Sequence, residues 1–433
     1  MRIENNIVID KVSKDLIILR YNDTTTRYFE ALWEIPEGVT YNAYLLTDDD
    51  TTVLFDTWKK NLENEFLNAL NSIIDISDLD YVVIHHMESD HSGSIRALYE
   101  KNPRITFIGH PMTNKLIRSL YGINPKFKAI RDGGETLSTK NYQLMFIHVP
   151  WLHWPETMFT YIPQIRALLT CDVFGAYTIP KSVFIEKLDD EYISSMRKYF
   201  ANIIGFYRNN VTKNLDKVLT MTRDNIDMIA PAHGAVIKGN IVKRSIGLYR
   251  EFALKTPINR KIVIAYSSMY GFIDNIMSHV THVLNDWGFN TSVYRFTDKE
   301  RASIGDLIGD VNNVLGIILG VSTYDTEPFP LMDFVINLLI KKLRGWKAIL
   351  LITDYGWGRR HTQAHKGKTG EGRLYRDRHN QRKWNTNKGR PKQNRHSHTK
   401  LQTNNYSIKS NTLNNKTLPW PFMLMRCINL NIM

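Results

Sequence analysis

The chain has 433 residues, of which 43% are apolar and 11% aromatic, so it is long enough for two or three domains with sizeable cores. Two cysteines, Cys171 and Cys427, exclude a disulfide framework and a four-cysteine metal site. The net charge of +13 is concentrated in residues 359–433, which hold 17 Lys and Arg against two acids; the first 358 residues are slightly acidic. Without a secretion signal or a membrane-length apolar run, the sequence favours a soluble, cytoplasmic protein.

The first 256 residues alternate short β-rich runs with helical patterns. The runs that predict strands are 42–47, 52–56, 81–84 and 105–109, and apolar spacing predicts helices over 58–73 and 192–218. Strands that come early and in close succession are typical of layered α/β folds. We therefore expect an αββα sandwich in this half of the chain.

A run of metal-capable residues follows the predicted strand at 81–84. It reads His-x-Glu-x-Asp-His, with His86, Glu88, Asp90 and His91 within six residues. On an extended segment, residues two apart project to the same side, so the first three can converge on one point. The simpler alternative is that Asp90 or Ser92 only caps a helix. Four such groups supply half of the ligands for two ions, so a complete site needs partners from elsewhere.

Three further candidates lie downstream, each beside a strand-like run. They are His153, Asp172 and His233, and adjacent strands would bring them to one sheet edge. The seven residues together provide four imidazoles and three carboxylates, enough for two ions with one carboxylate left to bridge them. Nitrogen and oxygen ligands without thiolate favour iron or manganese over a structural zinc, although zinc accepts the same groups.

From residue 261 a second pattern begins, after a linker at 255–260. Continuous apolar runs alternate with helical segments, which predicts parallel strands buried on both faces in a doubly wound sheet. The turn Ser267–Gly271 joins the first strand to its helix, where backbone amides and the helix dipole form an anion site. Two further loops, 320–330 and 354–358, follow later strands of the same sheet.

Residues 359–433 are rich in Asn, Lys, Arg and Thr and have little periodicity. This composition predicts a disordered or non-native tail and leaves the sheet of the second half incomplete. The tail lacks interleaved aromatic residues and a nucleic-acid-binding motif, so a nucleic-acid partner is not expected. The abrupt change near residue 358 favours an aberrant carboxyl terminus.

The metal motif and its spacing resemble those of the flavodiiron proteins. Intervals of 62, 19 and 61 residues separate His91, His153, Asp172 and His233, and these agree with that family. The resemblance implies a metallo-β-lactamase-like domain at 1–256 that holds two irons. One iron would take His86, Glu88 and His153, the other Asp90, His91 and His233, and Asp172 would bridge them. Hydrolases of this fold usually have histidine in place of Glu88.

The second half resembles a short-chain flavodoxin, which implies an FMN-binding domain at 257–358. By this resemblance the phosphate would lie against Ser267, Ser268, Met269, Tyr270 and Gly271. The isoalloxazine ring would lie between Ser322, Thr323 and Tyr324 on one side and Tyr355, Gly356 and Trp357 on the other.

The second half also departs from the flavodoxin pattern. Ile273 replaces a threonine of the family, and Arg359 and Arg360 replace small residues. The final strand and helix of a flavodoxin have no equivalent. We therefore predict weakened or absent FMN binding in this chain.

The family resemblance also implies an activity and partners. The activity is reduction of dioxygen to water, of nitric oxide to nitrous oxide, or of both; the sequence does not choose between the gases. Electrons would come from an external donor, rubredoxin or a reduced deazaflavin, to a head-to-tail homodimer without membrane attachment. The alternatives are a zinc-dependent hydrolase of the same fold and a flavodoxin-like electron carrier. His85, outside the motif, is expected to support the site from behind, and Cys171 to be a small core residue.

Overall fold

The computed structural model describes residues 2–354, except 5, 132–133, 255, 258–259, 326 and 344–347, together with 401–403 and 406–408. Contacts divide the chain into two units. The first contains Met1–Thr256 and Ile304–Asn312, and the second contains Pro257–Ser303 and Asn313–Met433.

The first unit begins with an eight-stranded sheet in the order β1-β2-β3-β6-β7-β8-β9-β10. Its strands are β1 (Arg2–Glu4), β2 (Ile7–Lys11), β3 (Leu16–Asp23), β6 (Val39–Asp48), β7 (Thr51–Phe55), β8 (Tyr81–Val83), β9 (Thr106–Gly109) and β10 (Lys126–Ala129). A separate pair, β4 (Tyr28–Phe29) and β5 (Trp33–Glu34), lies in the connection between β3 and β6. Pairing is antiparallel from β1 to β7 and parallel from β7 to β10.

A second, seven-stranded sheet follows in the order β11-β12-β13-β14-β16-β17-β15. Its strands are β11 (Thr136–Ser138), β12 (Gln143–His148), β13 (Met158–Ile162), β14 (Ala167–Cys171), β15 (Phe184–Ile185), β16 (Met228–Pro231) and β17 (Val236–Lys238). The parallel pairing of β14 with β16 matters for function, because the chain leaves both strands at the same edge. Asp172 follows the first of these strands directly, and His233 follows the second by two residues.

The two sheets of the first unit share one core. Leu46 and Val53 of the first sheet belong to the same buried apolar cluster as Phe146 and Leu169 of the second, which shows that the two sheets face each other. Nine of the ten residues of β6 are buried, so its outer face is covered as well. This is the sandwich expected from the sequence.

Helices accompany both sheets. They are α1 (Glu63–Asn71), α2 (Ser89–Ser92), α3 (Ile95–Lys101), α4 (Pro111–Tyr121), α5 (Asp190–Tyr199), α6 (Val211–Thr222) and α7 (Ile241–Leu254). Short 3-10 turns occur at Lys60–Leu62, Ile76–Asp78, Pro163–Ile165 and Gly205–Asn210. Helix α4 shows how such a helix is delimited: His110 caps its first turn, and Gly122, in the left-handed region with φ of 67°, ends it.

The helix predicted over 192–218 is interrupted. Asp189 begins α5 by accepting a hydrogen bond from the Tyr192 amide, but Phe200–Ile204 form a π-helix, followed by the 3-10 turn before α6. All five residues of the π-helix are buried, so tertiary packing on every side replaces the one-sided apolar stripe of an ordinary surface helix.

The second unit contains a parallel sheet of four strands in the order β19-β18-β20-β23. Its elements are β18 (Lys261–Ser268), α8 (Phe272–Asp286), β19 (Asn290–Thr297), β20 (Gly316–Val321), β21 (Thr323–Tyr324), β22 (Glu327–Pro328), α10 (Pro330–Leu343) and β23 (Ala348–Thr353). Two paired strands, β24 (Leu401–Thr403) and β25 (Tyr406–Ile408), lie within the range predicted to be a tail. The remainder of that tail falls outside the described residues.

The helix predicted near residue 304 is present as α9 (Ile304–Val311), and it is grouped with the first unit. The Lys198 ammonium lies 2.6 Å from the Asp306 carboxylate and 2.9 Å from Glu37, and only 5% of its side chain is exposed. A buried lysine with two carboxylate partners fixes α9 against α5.

Among the described residues, no helix combines the length and apolar character needed to cross a bilayer.

Candidate functional site

The loop after β8 positions the first four candidate ligands. Glu88 has extended backbone angles and precedes α2, so the chain passes from loop to helix within the motif. Glu88 is therefore the N-cap residue of α2. Asp90 and Ser92 lie within the helix, so neither has the capping role that was the simpler alternative. A Cβ atom on Gly93 would lie 2.2 Å from the Lys60 backbone nitrogen, so the chain after α2 approaches its neighbour too closely for any side chain there.

The first group of converging side chains contains His86, Glu88, His153 and Asp172, whose candidate ligand atoms lie within 4.8 Å of one another. The Glu88 Oε2 atom is 3.3 Å from His86 Nε2 and 2.9 Å from His153 Nε2. Asp172 approaches the same two nitrogens with its Oδ2 atom, at 3.7 and 3.6 Å.

The second group contains Asp90, His91 and His233, again within 4.8 Å. Asp90 lies 3.4 Å from the Nε2 atom of each histidine, using a different carboxylate oxygen for each. Asp172 approaches these nitrogens with Oδ1, at 3.0 Å from His91 and 3.5 Å from His233. One oxygen of Asp172 thus faces each group, which is the arrangement expected of a bridging carboxylate.

The site fits a pair of cations because several of its buried polar atoms lack other partners. Among the described residues, both carboxylate oxygens of Asp90, the Oδ2 atom of Asp172 and the Nε2 atom of His233 have no hydrogen-bond partner. Buried polar atoms without a hydrogen-bond partner are rare in folded proteins, because no interaction offsets the cost of removing them from water. Ions between the two groups would satisfy all of them.

The acidic side chains also dominate the electrostatics of the site. Burial would lower the pKa of His86, His91 and His233, but the carboxylates outweigh it: the pKa of His233 is raised to about 10, and those of His86 and His91 are raised as well. Burial would raise the pKa of Glu88 and Asp172, yet the adjacent imidazoles hold both pKa values below the ordinary range. A site that favours positive charge in this way favours bound cations.

A second set of contacts, which sequence reasoning missed, holds the histidines and the bridging carboxylate. His86 Nδ1 donates to Glu156 at 3.0 Å, and His233 Nδ1 donates to the Thr40 carbonyl at 2.6 Å, so the Nε2 atom of each ring is the one that faces the centre. The Tyr199 hydroxyl donates to Asp172 Oδ1 at 2.6 Å. The only local signal was the acid in His153-Trp-Pro-Glu156; Thr40 and Tyr199 come from distant segments.

His85 and Cys171, which lie next to candidate ligands in the sequence, differ in their position relative to the centre. His85 bonds away from the centre, to Asp56 at 2.7 Å and Thr160 at 2.8 Å. Cys171 is buried as expected, but its sulfur also lies within 4.8 Å of candidate ligand atoms of His91 and Asp172. Burial raises the pKa of the Cys171 thiol well above its ordinary value, so it remains protonated at neutral pH.

Two tryptophans, Trp151 and Trp154, lie on either side of His153 in the sequence. Trp154 packs edge-on against His86, with ring centres 4.8 Å apart. Trp151 is 42% exposed and stacks on Tyr207. Met158, which follows in the sequence, is buried in the core between the sheets.

The second unit brings its predicted loops together at the carboxyl edge of its sheet. Ser268 Oγ accepts from the amides of Gly271 and Asp274, which fixes the turn before α8. Ser322 donates to the Ser267 carbonyl at 3.0 Å, linking the first two loops. Gly271 has a φ of 86° and open space at its Cβ position, so the turn leaves room for a phosphate at the amino-terminal end of α8.

Part of the predicted flavin site falls outside the described residues. Thr323 donates its amide to Asp354 at 3.1 Å, which joins the second and third loops, and Tyr324 is exposed. Met269 and Tyr270 lie in the turn before α8, and Tyr270 is 83% exposed. Ile273 points into the core of the unit and offers nothing to the turn. Tyr355, Gly356 and Trp357 lie outside the described residues, as do Arg359 and Arg360.

Comparison with known proteins identifies relatives of this arrangement. A family model described as ODP family beta lactamase matches residues 39–234. The nitric oxide reductase of Moorella thermoacetica is 30% identical over 338 residues, covering 78% of this chain and 83% of that protein. An anaerobic nitric oxide reductase flavorubredoxin from Aliivibrio fischeri is also 30% identical, over 75% of this chain and 65% of the relative.

Solved structures agree with the sequence relatives. A mutant of the flavo di-iron protein from Thermotoga maritima has a TM-score of 0.78 at 33% identity and covers 84% of this chain and 90% of that chain. The rubredoxin:oxygen oxidoreductase of Desulfovibrio gigas has the same TM-score of 0.78 at 24% identity, a likeness of fold alone, over 84% and 91% of the two chains. The relatives confirm the predicted α/β fold class and the enzyme class, an oxidoreductase rather than a hydrolase. With this identity over most of a nitric oxide reductase, the chain belongs to the flavodiiron protein family, as its motifs predict.

Proposed function

We propose that this chain reduces nitric oxide to nitrous oxide, dioxygen to water, or both, at two irons held by the loops that follow β8, β12, β14 and β16 of the first unit. One iron is assigned to His86, Glu88 and His153, and the other to Asp90, His91 and His233. The observation that carries the proposal is Asp172, whose two oxygens face different groups at distances of 3.0 to 3.7 Å. The names of these relatives, nitric oxide reductases, support the nitric oxide reaction.

Two ferrous ions, when bound, supply two electrons at adjacent positions to a small diatomic substrate. The protein contributes a site of graded exposure: the side chain of Glu88 is 22% exposed and that of Asp90 is 14%, whereas those of His86 and His233 are fully buried. A small gas molecule would enter on the carboxylate side. Trp154 covers His86 and limits the access of water from that direction.

The Tyr199 hydroxyl supplies a hydrogen bond to the bridging carboxylate. Tyr199 keeps a hydroxyl proton on the hydrogen bond to Asp172 Oδ1, and burial raises the pKa of Tyr199 well above its ordinary value. The hydroxyl therefore remains a donor at neutral pH and stabilises negative charge on the bridging carboxylate. Its effect is on the geometry of Asp172 and on the charge of the centre.

For the electron path, we propose FMN in the second unit as the entry point. Its phosphate is assigned to the turn of Ser267, Ser268, Met269, Tyr270 and Gly271, with Ser322, Thr323 and Tyr324 at the ring. An external donor, rubredoxin or a reduced deazaflavin, would reduce the flavin, and a head-to-tail homodimer would bring flavin and iron together. The weakened FMN binding inferred from Ile273 and the altered carboxyl terminus remains a prediction for this chain.

The test is an anaerobic assay of the purified, iron-loaded chain with reduced flavin or reduced deazaflavin, offering nitric oxide and dioxygen in separate reactions. Gas electrodes record consumption, and gas chromatography measures nitrous oxide. Consumption of either gas in proportion to the iron content supports the proposal. Two irons per chain without consumption of either gas contradicts it. A parallel preparation loaded with zinc controls for iron-independent loss of the gases.

A further inference from the structure

Glu156 lies in the connection between β12 and β13, three residues after His153, and its side chain is fully buried. Its Oε1 atom accepts two hydrogen bonds, from His86 Nδ1 at 3.0 Å and from the Met87 amide at 3.1 Å. Its Oε2 atom has no hydrogen-bond partner among the described residues. Burying a carboxylate costs desolvation energy, and for Glu156 the imidazole of His86 chiefly offsets that cost.

The contact behind His233, in the other half of the centre, is with a backbone carbonyl instead of a carboxylate. His233 Nδ1 donates to the main-chain carbonyl of Thr40 at 2.6 Å, a neutral acceptor. Both rings present Nε2 to the centre, so they differ in the charge behind them and not in their orientation. A carboxylate behind a ligating imidazole increases the basicity of the opposite nitrogen more than a carbonyl does.

We propose that Glu156 is a positioning residue that makes the two metal positions unequal, so that the one at His86, Glu88 and His153 holds its ion more tightly. Glu156 does so in two ways: it fixes the ring and tautomer of His86, and it holds the loop backbone at Met87. This inference rests on the proposed function, because it assumes that iron occupies both positions.

The first test uses the iron-loaded wild-type chain. Titration with a ferrous chelator, followed by the remaining iron per chain, is expected to release two irons in separate steps. Mössbauer spectra of the half-depleted protein should then retain one of two original ferrous signals. Release of both irons in a single step, with both signals falling together, would overturn the inference.

The second test uses Glu156→Gln, which preserves the shape and an acceptor oxygen but removes the charge. The iron at the His86 position should bind about 10- to 100-fold more weakly, while the other iron is released as in the wild type. Glu156→Asp, which keeps the charge on a shorter side chain, should restore part of the difference. Glu186→Gln, at an exposed glutamate of the same unit, is the matched control and should release iron as the wild type does.

The two proposals fail in distinguishable ways. A wild-type chain that binds fewer than two irons, or reduces neither gas with two bound, contradicts the proposed function. A wild-type chain that binds two irons and reduces nitric oxide, with Glu156→Gln releasing iron as the wild type does, contradicts only the role of Glu156. Circular dichroism of the metal-free variants verifies folding, and if Glu156→Gln does not fold, the wild-type titration decides.

Discussion

Asp172 is the residue on which both halves of the metal centre depend. The substitution Asp172→Asn keeps the size of the side chain but removes the negative charge that faces the two groups of candidate ligands. We expect the variant to retain fewer than two irons per chain after desalting and to lose at least ~100-fold in activity with nitric oxide. Iron analysis by mass spectrometry and the nitrous oxide assay measure the two effects.

A substitution at an exposed aspartate separates this effect from a general loss of charge. Asp50→Asn makes the same substitution of aspartate by asparagine, at an exposed turn of the first unit. It should leave both iron content and activity unchanged. Wild-type iron content in Asp172→Asn would mean that Asp172 is not a ligand. Circular dichroism should show the same fold in both variants.

Asp23 gives a pH-dependent contribution to stability away from the metal centre. Its Oδ2 atom lies 2.5 Å from the Lys59 ammonium, and its Oδ1 atom accepts from the amides of Thr25 and Thr26. Burial would raise the pKa of Asp23, but these partners lower it below the ordinary value. Stabilisation by the charged form is therefore complete above the unfolded-state pKa of about 4 and is lost as pH falls through the lower folded-state pKa.

We expect Asp23→Asn to reduce the free energy of unfolding by roughly 2–4 kcal/mol at pH 7. The difference from the wild type should shrink as the pH falls below about 4, because Asp23 of the unfolded wild-type chain then binds a proton, which favours unfolding, whereas the asparagine of the variant cannot. Urea unfolding of the metal-free proteins at several pH values measures this. A difference that stays constant down to pH 2 would show that the charge of Asp23 is not the cause.

The residues of the centre differ in how far the sequence could predict them. His86, Glu88, Asp90 and His91 are adjacent in sequence, so their spacing alone indicates a site. The Glu156 contact could not be predicted, because nothing in the sequence shows that its carboxylate turns inward to His86. Cys171 directly precedes Asp172 in the sequence, but the proximity of its thiol to His91 arises only in the folded chain.

At the scale of elements, α2 depends on the absence of a side chain at Gly93. In Gly93→Ala the new methyl group would clash with the Lys60 and Ser89 backbones, at 2.2 and 2.5 Å. We expect a loss of about 1–3 kcal/mol in the free energy of unfolding, and weaker iron retention because His91 lies on the displaced helix. Thermal unfolding and iron analysis test this.

Gly247 provides the matched control for that substitution. It lies within α7, and a Cβ atom there would meet nothing within 4 Å. Gly247→Ala should therefore stabilise the chain by up to ~1 kcal/mol through the better helix propensity of alanine. Equal effects of the two substitutions would argue against a steric role of Gly93.

The interrupted helix shows why element boundaries were harder to predict than element types. The sequence predicts one helix over 192–218, and helical structure is found there, but as four successive segments. The π-helix Phe200–Ile204 directly follows Tyr199, whose hydroxyl reaches Asp172. Apolar periodicity indicates which residues are buried, but it does not encode a change of helical pitch produced by packing on all sides.

At the scale of the whole molecule, flavin retention is the property most open to measurement. We expect the purified full-length chain to emerge from gel filtration with less than one FMN per chain, because Ile273 is turned into the core and adds no donor to the phosphate turn. Absorbance of the released flavin relative to protein measures this. Stoichiometric FMN after gel filtration would contradict the prediction and show that the described loops suffice.

The parallel sheet that starts at Lys261 could be predicted, because continuous apolar strands alternating with helices are typical of a sheet buried on both faces. The grouping of α9 could not. In the sequence it is simply the next helix of a βαβ repeat, and its partners Glu34 and Lys198 lie more than 100 residues earlier.

The discontinuous first unit has a consequence for cleavage of the chain. A protease that cuts once near residue 258 would leave α9 on the carboxyl-terminal fragment, although its ion pair to Lys198 belongs to the amino-terminal one. The two fragments should therefore elute together until a denaturant separates them. A gene truncated at codon 256 would instead produce a polypeptide that lacks α9, so that Lys198 loses both Asp306 and the helix packed against it, and we expect this product to be less stable.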